Sequence, residues 1–234
     1  MPAELTLDML VIAPHPDDAE LGMGGAIAKM LQRGWRVGVL DLTDGEPTPY
    51  GDVTTRAKET TRASAALGLS WRENLGLPNR SLEATLVARG QLANVFRRVR
   101  PRWLFAPYWE DAHPDHTAAT QLVEAARFWS KLTKSTLEGE PFHPQRVFYY
   151  YCIHLKHVAQ PAFVLDISDQ WEMKRQSIEA YASQFTIGRE QVSPTLIERV
   201  RDEAAYWGKM IGTRYGEPFA SREAIALSDF STLV

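Results

Sequence analysis

Residues 7–25 read L-D-M-L-V-I-A-P-H-P-D-D-A-E-L-G-M-G-G. The stretch joins a short apolar run to a proline-flanked polar turn and then to a new amphipathic segment. Leu7 to Ala13 suits a strand buried on both faces. Ala19 to Arg33 reads as a helix, with Gly34 as its stop signal. The same unit recurs downstream. Val37 to Leu42 is a second buried strand, and Thr54 to Leu67 a helix stopped by Gly68. Glu83 to Val99 is a third helix, followed by Pro101. Arg102 to Ala106 is a further strand, and a helix runs from about Asp115 to Trp129. This alternation is the signature of an α/β fold with a mostly parallel sheet and helices on both faces. Right-handed crossovers place every strand's C-terminal end along one edge, where open α/β sheets bind their ligands.

The rest of the chain is less regular. Arg146 to Ile153 and Ala162 to Ile167 read as strands. Ser168 or Asp169 caps a helix to about Gln184, and another helix spans roughly Pro194 to Ile211. No repeat, low-complexity tract or linker interrupts the chain, so residues 1–234 are expected to form a single domain.

Composition narrows the class. The 234 residues carry 26 Lys+Arg and 29 Asp+Glu, a net charge of −3, with 44% hydrophobic and 24% charged types. Such a chain has ample material for a core and no basic excess for general nucleic-acid binding. Cys152 is the single cysteine, which excludes an internal disulfide and a Cys-based zinc cluster and suits a reducing cytoplasm. Any metal site is therefore expected from His, Asp and Glu. Glu4 and Asp8 sit where a secretory leader needs positive charge, and no apolar run approaches the roughly 20 residues of a membrane span. A cytoplasmic protein with no membrane and no nucleic-acid partner is the expectation.

Two segments resemble each other: His15-Pro16-Asp17-Asp18 and His113-Pro114-Asp115-His116. Each follows a strand and opens a helix. One H-P-D arises by chance in about a few per cent of chains this long, and two far less often. Proline suits the first helical position, which puts each histidine at a cap and the residue three later in the first turn. His15 and Asp18 then project toward one point at the sheet edge. His116 reaches it from a second strand end if the two strands are neighbours. Gly22, Gly24 and Gly25 invite a phosphate-loop reading, but Asp17, Asp18 and Glu20 repel an anion, and the spacing matches no phosphate motif. A cation fits the charge better. His15, Asp18 and His116 have the composition of a catalytic zinc site, three protein ligands and an open position. Asp17 is left over as a general base, and His113 as a group to steady an oxyanion or protonate a leaving amine. Asp115 is placed to orient His113 and raise its pKa. These parts suffice for metal-assisted amide hydrolysis.

The paired motifs, with Asp41 to Glu46 (D-L-T-D-G-E), resemble the LmbE/PIG-L family of zinc-dependent N-acetylglucosaminide deacetylases, and within it the bacillithiol-biosynthesis branch. Arg72-Glu73-Asn74-Leu75, Leu77-Pro78-Asn79-Arg80, Tyr181 to Phe185 and Tyr215 to Phe219 extend the resemblance along nearly the whole chain. It implies a Rossmann-like fold and one Zn2+ per chain held by His15, Asp18 and His116. It also implies Asp17 as base, His113 as intermediate stabiliser or acid, and Glu46 and Arg56 as contacts to sugar hydroxyls. The substrate it implies is a small-molecule GlcNAc conjugate, foremost N-acetylglucosaminyl-malate, and the assembly a homo-oligomer, a hexamer. Asn79 is a departure, since the branch more often has Asp there.

Other readings attach to the same residues. Another GlcNAc or thiol conjugate is the alternative substrate. A non-catalytic metal or sugar binder would need neither Asp17 nor His113, and a nucleotide binder rests on Gly24-Gly25 and the strand–helix alternation. His143, His154 and His157 read as structural or surface residues, and Lys156 and Arg189 as surface cations. Tyr149 to Tyr151 and the seven Trp read as core or subunit interface, and Cys152 as a small buried hydrophobe.

Overall fold

The computed structural model describes residues 6–155 and 159–229. Among these residues seven strands form one sheet: β1 (Met9–Ala13), β2 (Val37–Thr43), β3 (Trp71–Leu77), β4 (Trp103–Pro107), β5 (Arg146–Tyr150), β6 (Phe163–Asp166) and β7 (Gly216–Ala220). Their order is β3-β2-β1-β4-β5-β7-β6. β1 to β5 pair in parallel, and β7 lies antiparallel to both β5 and β6. The expectation that every strand ends on one edge therefore fails at β7 alone. The chain moves outward from β1 to β2 and β3, then crosses back to place β4 on the other side of β1. That reversal opens a crevice at the C-terminal ends of β1 and β4.

Among the described residues seven helices accompany the sheet: α1 (Asp18–Gln32), α2 (Val53–Leu67), α3 (Leu86–Val99), α4 (Pro114–Ser130), α5 (Trp171–Glu179), α6 (Ala182–Phe185) and α7 (Leu196–Met210). The alternation of β1 explains the two layers. Met9, Val11 and Ala13 pack against Ala19, Met23, Ala26 and Ile27 of α1. Leu10 and Ile12 face the opposite layer with Leu92 and Phe96 of α3 and Leu122 and Val123 of α4. Both faces are apolar because both are covered. Among the described residues no helix is long and apolar enough to cross a membrane.

Glycines that hint at a phosphate loop serve packing instead. A Cβ on Gly22 would lie 2.3 Å from the Tyr150 ring, and one on Gly25 2.7 Å from Ile167. Helix α1 also breaks at Met23, whose φ of −150° is not helical. The break frees backbone N–H groups in a buried place. Glu217 of β7 accepts from Gly25 N at 2.9 Å and from Ala26 N at 2.7 Å, and Lys174 of α5 donates to the same carboxylate at 2.6 Å. Glu217 belongs to the resemblance's Tyr215 to Phe219 stretch, and its bonds lock α1, α5 and β7 together.

Several sequence expectations shift. β3 and β7 are absent from the expected strands. β3 is a polar edge strand whose Arg72 turns inward, donating to both Asp41 oxygens at 2.8 Å and to Glu20 at 2.5 Å. β7 contains Gly216 and Pro218, which suggest a turn. Its pairing with β5 covers only Phe219 and Ala220, so Pro218 owes β5 no N–H. The helix expected from Ser168 to Gln184 is a 3-10 turn at Ser168–Gln170, then α5, then α6. The break falls at Tyr181, because the buried Glu59 carboxylate captures the Ser183 N–H and Oγ, each at 2.7 Å. β5 stops at Tyr150, three residues before the expected end.

Lys174→Met leaves the Glu217 carboxylate buried without its cation. It is expected to cost about 3–5 kcal/mol, seen as a lower urea midpoint at unchanged slope.

Candidate active site

The β1–α1 and β4–α4 loops meet at the crevice because their strands are hydrogen-bonded neighbours. His113 caps α4 and Pro114 takes the first helical position, as the spelling requires. The first motif differs. Asp17, not His15, stands at the cap of α1, with φ 134° and ψ −26°. A non-glycine residue holds such a backbone only where its surroundings impose it, and functional sites are where this occurs.

The side chains of His15, Asp18 and His116 converge. Asp18 Oδ2 lies 3.0 Å from His15 Nδ1, and Asp18 Oδ1 lies 3.3 Å from His116 Nε2. Two imidazole nitrogens and a carboxylate oxygen within 4.8 Å of one another, all from buried or nearly buried residues, fit a small divalent cation. Two overlapping groups meet the same limit: His15, His113 and Asp115, and Asp111, His116 and Cys152. The second corrects the expectation that only His, Asp and Glu are available, since the Cys152 thiol lies beside His116.

Burial sets the electrostatics. It pushes the Asp17 carboxyl up to about 7, although Arg56 donates to Asp17 Oδ2 at 3.2 Å and opposes the rise. Burial would raise Asp18 as well, but His116 and His15 outweigh it and hold Asp18 well below the carboxylate range. Burial likewise opposes charge on His15 and His116, yet Asp18 holds both imidazoles above their ordinary value. Burial pushes the Cys152 thiol up to about 11.

The expectation for Asp115 and His113 is overturned. Burial and the neighbouring His116 and His15 lower the His113 pKa, against a smaller pull from Asp115. The Asp115 carboxylate does not bond the His113 ring. It turns to His15 Nε2, at 3.1 Å, and to backbone N–H groups of Arg80 and Leu82. The Asp115 backbone N–H is what meets His113, donating to Nδ1 at 3.2 Å.

His15, Asp17, Asp18, His113 and His116 line a cavity of about 510 Å³. Arg56 lines it, buried, with Nε and Nη1 lacking partners among the described residues. Glu46 does not line it. Its carboxylate is turned into its own loop, accepting from Thr48 N at 2.6 Å and from Thr48 Oγ1, while Thr48 and Gln184 form the wall. Glu46 therefore supports the wall from behind. His154, read as structural or surface, lines the cavity 5.6 Å from the His113 and His116 rings. Its signal in the sequence is its place just past β5, next to β4 on the same edge. Asp111 is a second residue that sequence reasoning misses. It sits two residues before His113, with its carboxylate 3.3 Å from His116 Nδ1. Arg189, read as a surface cation, stands exposed on the cavity rim with Arg80 and Arg199. His143 is exposed, as expected, and Cys152 is buried. Lys156 and His157 lie outside the described residues.

A polar cavity at a parallel-sheet switch point, floored by a cation-fitting triad and a carboxyl of raised pKa, has the make-up of a metal-assisted hydrolase site. The model of the PIG-L family, GlcNAc-PI de-N-acetylase, matches residues 10–127. The chain belongs to this family, and it is a hydrolytic N-deacetylase. The crystal structure of the conserved protein TT1542 from Thermus thermophilus aligns with a TM-score of 0.89 and 42% identity, covering 97% of this chain and 99% of that one. Diacetylchitobiose deacetylase from Thermococcus kodakarensis is 34% identical over 228 residues, 89% of this chain and 80% of that protein. A probable N-acetyl-alpha-D-glucosaminyl L-malate deacetylase 2 from Bacillus anthracis is more distant, 26% identical over 195 residues, 76% of this chain and 81% of that protein. The family resemblance thus stands, and the relative from the narrower branch is a distant one.

With its thiol buried and its pKa raised, Cys152 is expected to resist DTNB at pH 8 in the folded protein. It should react fully once the chain is unfolded in guanidinium.

Proposed function

We propose that this enzyme removes acetate from a GlcNAc conjugate whose second half is anionic, foremost N-acetylglucosaminyl-malate in bacillithiol biosynthesis. The observation that carries this reading is the layout of one cavity: His15, Asp18, His116 and Asp17 at its buried end, and Arg80, Arg189 and Arg199 on its exposed rim. Against these three cations the exposed rim sets one acid, Glu190.

His15, Asp18 and His116 would hold one Zn2+ per chain, which when bound polarises a carbonyl and acidifies water. Asp17 takes the proton of the attacking water. Its raised pKa matches a base that must also release that proton. Arg56 holds the Asp17 carboxylate in place. His113 Nδ1 accepts a backbone N–H, so the neutral ring carries its proton on Nε2. That N–H donates to the oxygen that gains charge as the carbonyl carbon becomes tetrahedral. The C–N bond then breaks, and the amine leaves with the proton from Asp17, giving acetate and a free amino sugar. Arg56 also reaches the sugar hydroxyls, with Glu46 acting through Thr48.

The continuous sheet from β1 to β7 supports one domain of this family over residues 1–234. A cytoplasmic setting and a homo-oligomer, a hexamer by the resemblance, belong to the same reading. Light scattering of the purified enzyme reads the oligomer directly.

A second substrate reading is N,N'-diacetylchitobiose, favoured by the name and identity of the Thermococcus relative. It is neutral, so the two readings separate on charge. Acetate release from both compounds by the zinc-loaded enzyme decides between them. A strong preference for the malate conjugate is expected, and a preference for chitobiose would reverse the assignment. Arg189→Ala with Arg199→Ala is expected to raise KM for the malate conjugate about tenfold, the equivalent of ~1.4 kcal/mol, and to leave chitobiose untouched.

Asp17→Asn is expected to keep zinc and to lower kcat by on the order of 10²–10⁴. His116→Ala should lose the metal. Full zinc content in that variant, measured by elemental analysis, would remove His116 from the ligand set.

A further inference from the structure

The Asp115 carboxylate is almost fully buried and gathers three N–H groups. Its Oδ2 accepts from His15 Nε2 at 3.1 Å and from Arg80 N at 2.8 Å, and its Oδ1 accepts from Leu82 N at 3.2 Å. The donors come from two separate parts of the site. His15 follows the end of β1. Arg80 and Leu82 belong to the loop after β3, whose Asn79 and Arg80 line the cavity. Arg80 carries φ 62°, a left-handed backbone that a non-glycine residue keeps only where its neighbours hold it. Its N–H, shared between Asp115 and the Asn79 side chain, is part of that hold.

We propose that Asp115 is a positioning residue that ties the His15 imidazole to the Asn79–Leu82 segment, whose Asn79 and Arg80 form a wall of the pocket, making metal binding and the order of that wall depend on one carboxylate. The inference rests on His15 being a metal ligand. A hydrogen on Nε2, directed at Asp115, leaves the Nδ1 lone pair facing the Asp18 carboxylate as the donor atom. The same carboxylate holds the wall that meets the substrate, so a displacement of His15 moves its anchor as well.

Asp111 provides the contrast. Its Oδ2 stands 3.3 Å from His116 Nδ1, and its Oδ1 accepts from the His113 N–H at 2.7 Å. It backs a histidine but makes no bond to the Asn79–Leu82 segment among the described residues. Both acids should support metal affinity, and Asp115 alone should transmit metal binding to the loop. An asparagine at position 115 has one oxygen for three N–H donors and sets its own NH2 against one of them.

The experiment needs no substrate. Zinc affinity is measured by competition with a chromophoric chelator for the wild type, Asp115→Asn and Asp111→Asn, with circular dichroism to check folding. Hydrogen exchange of residues 79–82 is followed with and without zinc. Asp115→Asn and Asp111→Asn are each expected to weaken zinc by ~10–100-fold. Added zinc should slow exchange of the Arg80 and Leu82 amides in the wild type and in Asp111→Asn, and should leave them unchanged in Asp115→Asn. Unchanged zinc affinity in a folded Asp115→Asn, or wild-type loop exchange indifferent to zinc, would overturn the proposal. If Asp115→Asn does not fold, the wild-type exchange decides alone. A wild type that binds no zinc would instead refute the metal reading on which the inference rests.

Discussion

Everything in the site depends on the hydrogen-bonded pairing of β1 with β4. Met9, Leu10 and Val11 stand beside Trp103, Leu104 and Phe105 in parallel register. The two strands are far apart in sequence, and between them the chain builds β2, β3 and three helices. Their pairing brings two similar turns to a common edge at the point where the strand order reverses. Without that adjacency each H-P-D turn is an ordinary helix start with an acid in its first turn.

The second constraint is the cost of burying so much charge. Glu20, Asp41, Arg72, Glu217 and Lys174 are paired beneath or beside the site, and each pair spans separate elements. Such pairs add little net stability against apolar residues of the same size, but losing one partner is expensive. They therefore act as fixed ties between layers. Arg72 joins β3 to β2 and α1, and Glu217 with Lys174 joins β7 to α5 and to the broken middle of α1. The same desolvation that makes these ties costly raises the Asp17 carboxyl toward neutrality. Structure and chemistry draw on one property, the burial of these side chains away from bulk water.

The backbone of the site carries a local cost too. Asp17 holds a positive φ at the start of α1, and Arg80 holds another in the loop after β3. Both residues line the cavity. The surrounding hydrogen bonds, from Arg56 to Asp17 and from the Arg80 N–H to Asp115, offset that strain. At both positions the strained backbone stands beside a buried partner, Arg56 for Asp17 and Asp115 for Arg80.

Much of this was legible in residue order. β1 is a continuous apolar run and β2 is one up to Asp41, and glycine stops such as Gly34 and Gly68 are local signals, so the α/β alternation follows from short-range chemistry. The paired H-P-D turns likewise announce a cation site, because few other residue choices would crowd acids and histidines at two helix starts. What residue order did not contain was which way a side chain turns once it has several partners. Asp115 is adjacent in sequence to His116 and two residues from His113, yet its carboxylate serves His15 and the loop after β3. Glu46 turns into its own loop and leaves the cavity wall to Thr48 and Gln184. β3 and β7 are hard to read because their polar or turn-like residues are satisfied by partners distant in sequence, Asp41 and Glu20 for Arg72, and the α1 break and Lys174 for Glu217. Local propensity and periodicity act over a few residues and are written into the chain. The choice among competing hydrogen-bond partners is made only when distant segments pack, since burial is what makes an unpaired polar group too costly to leave.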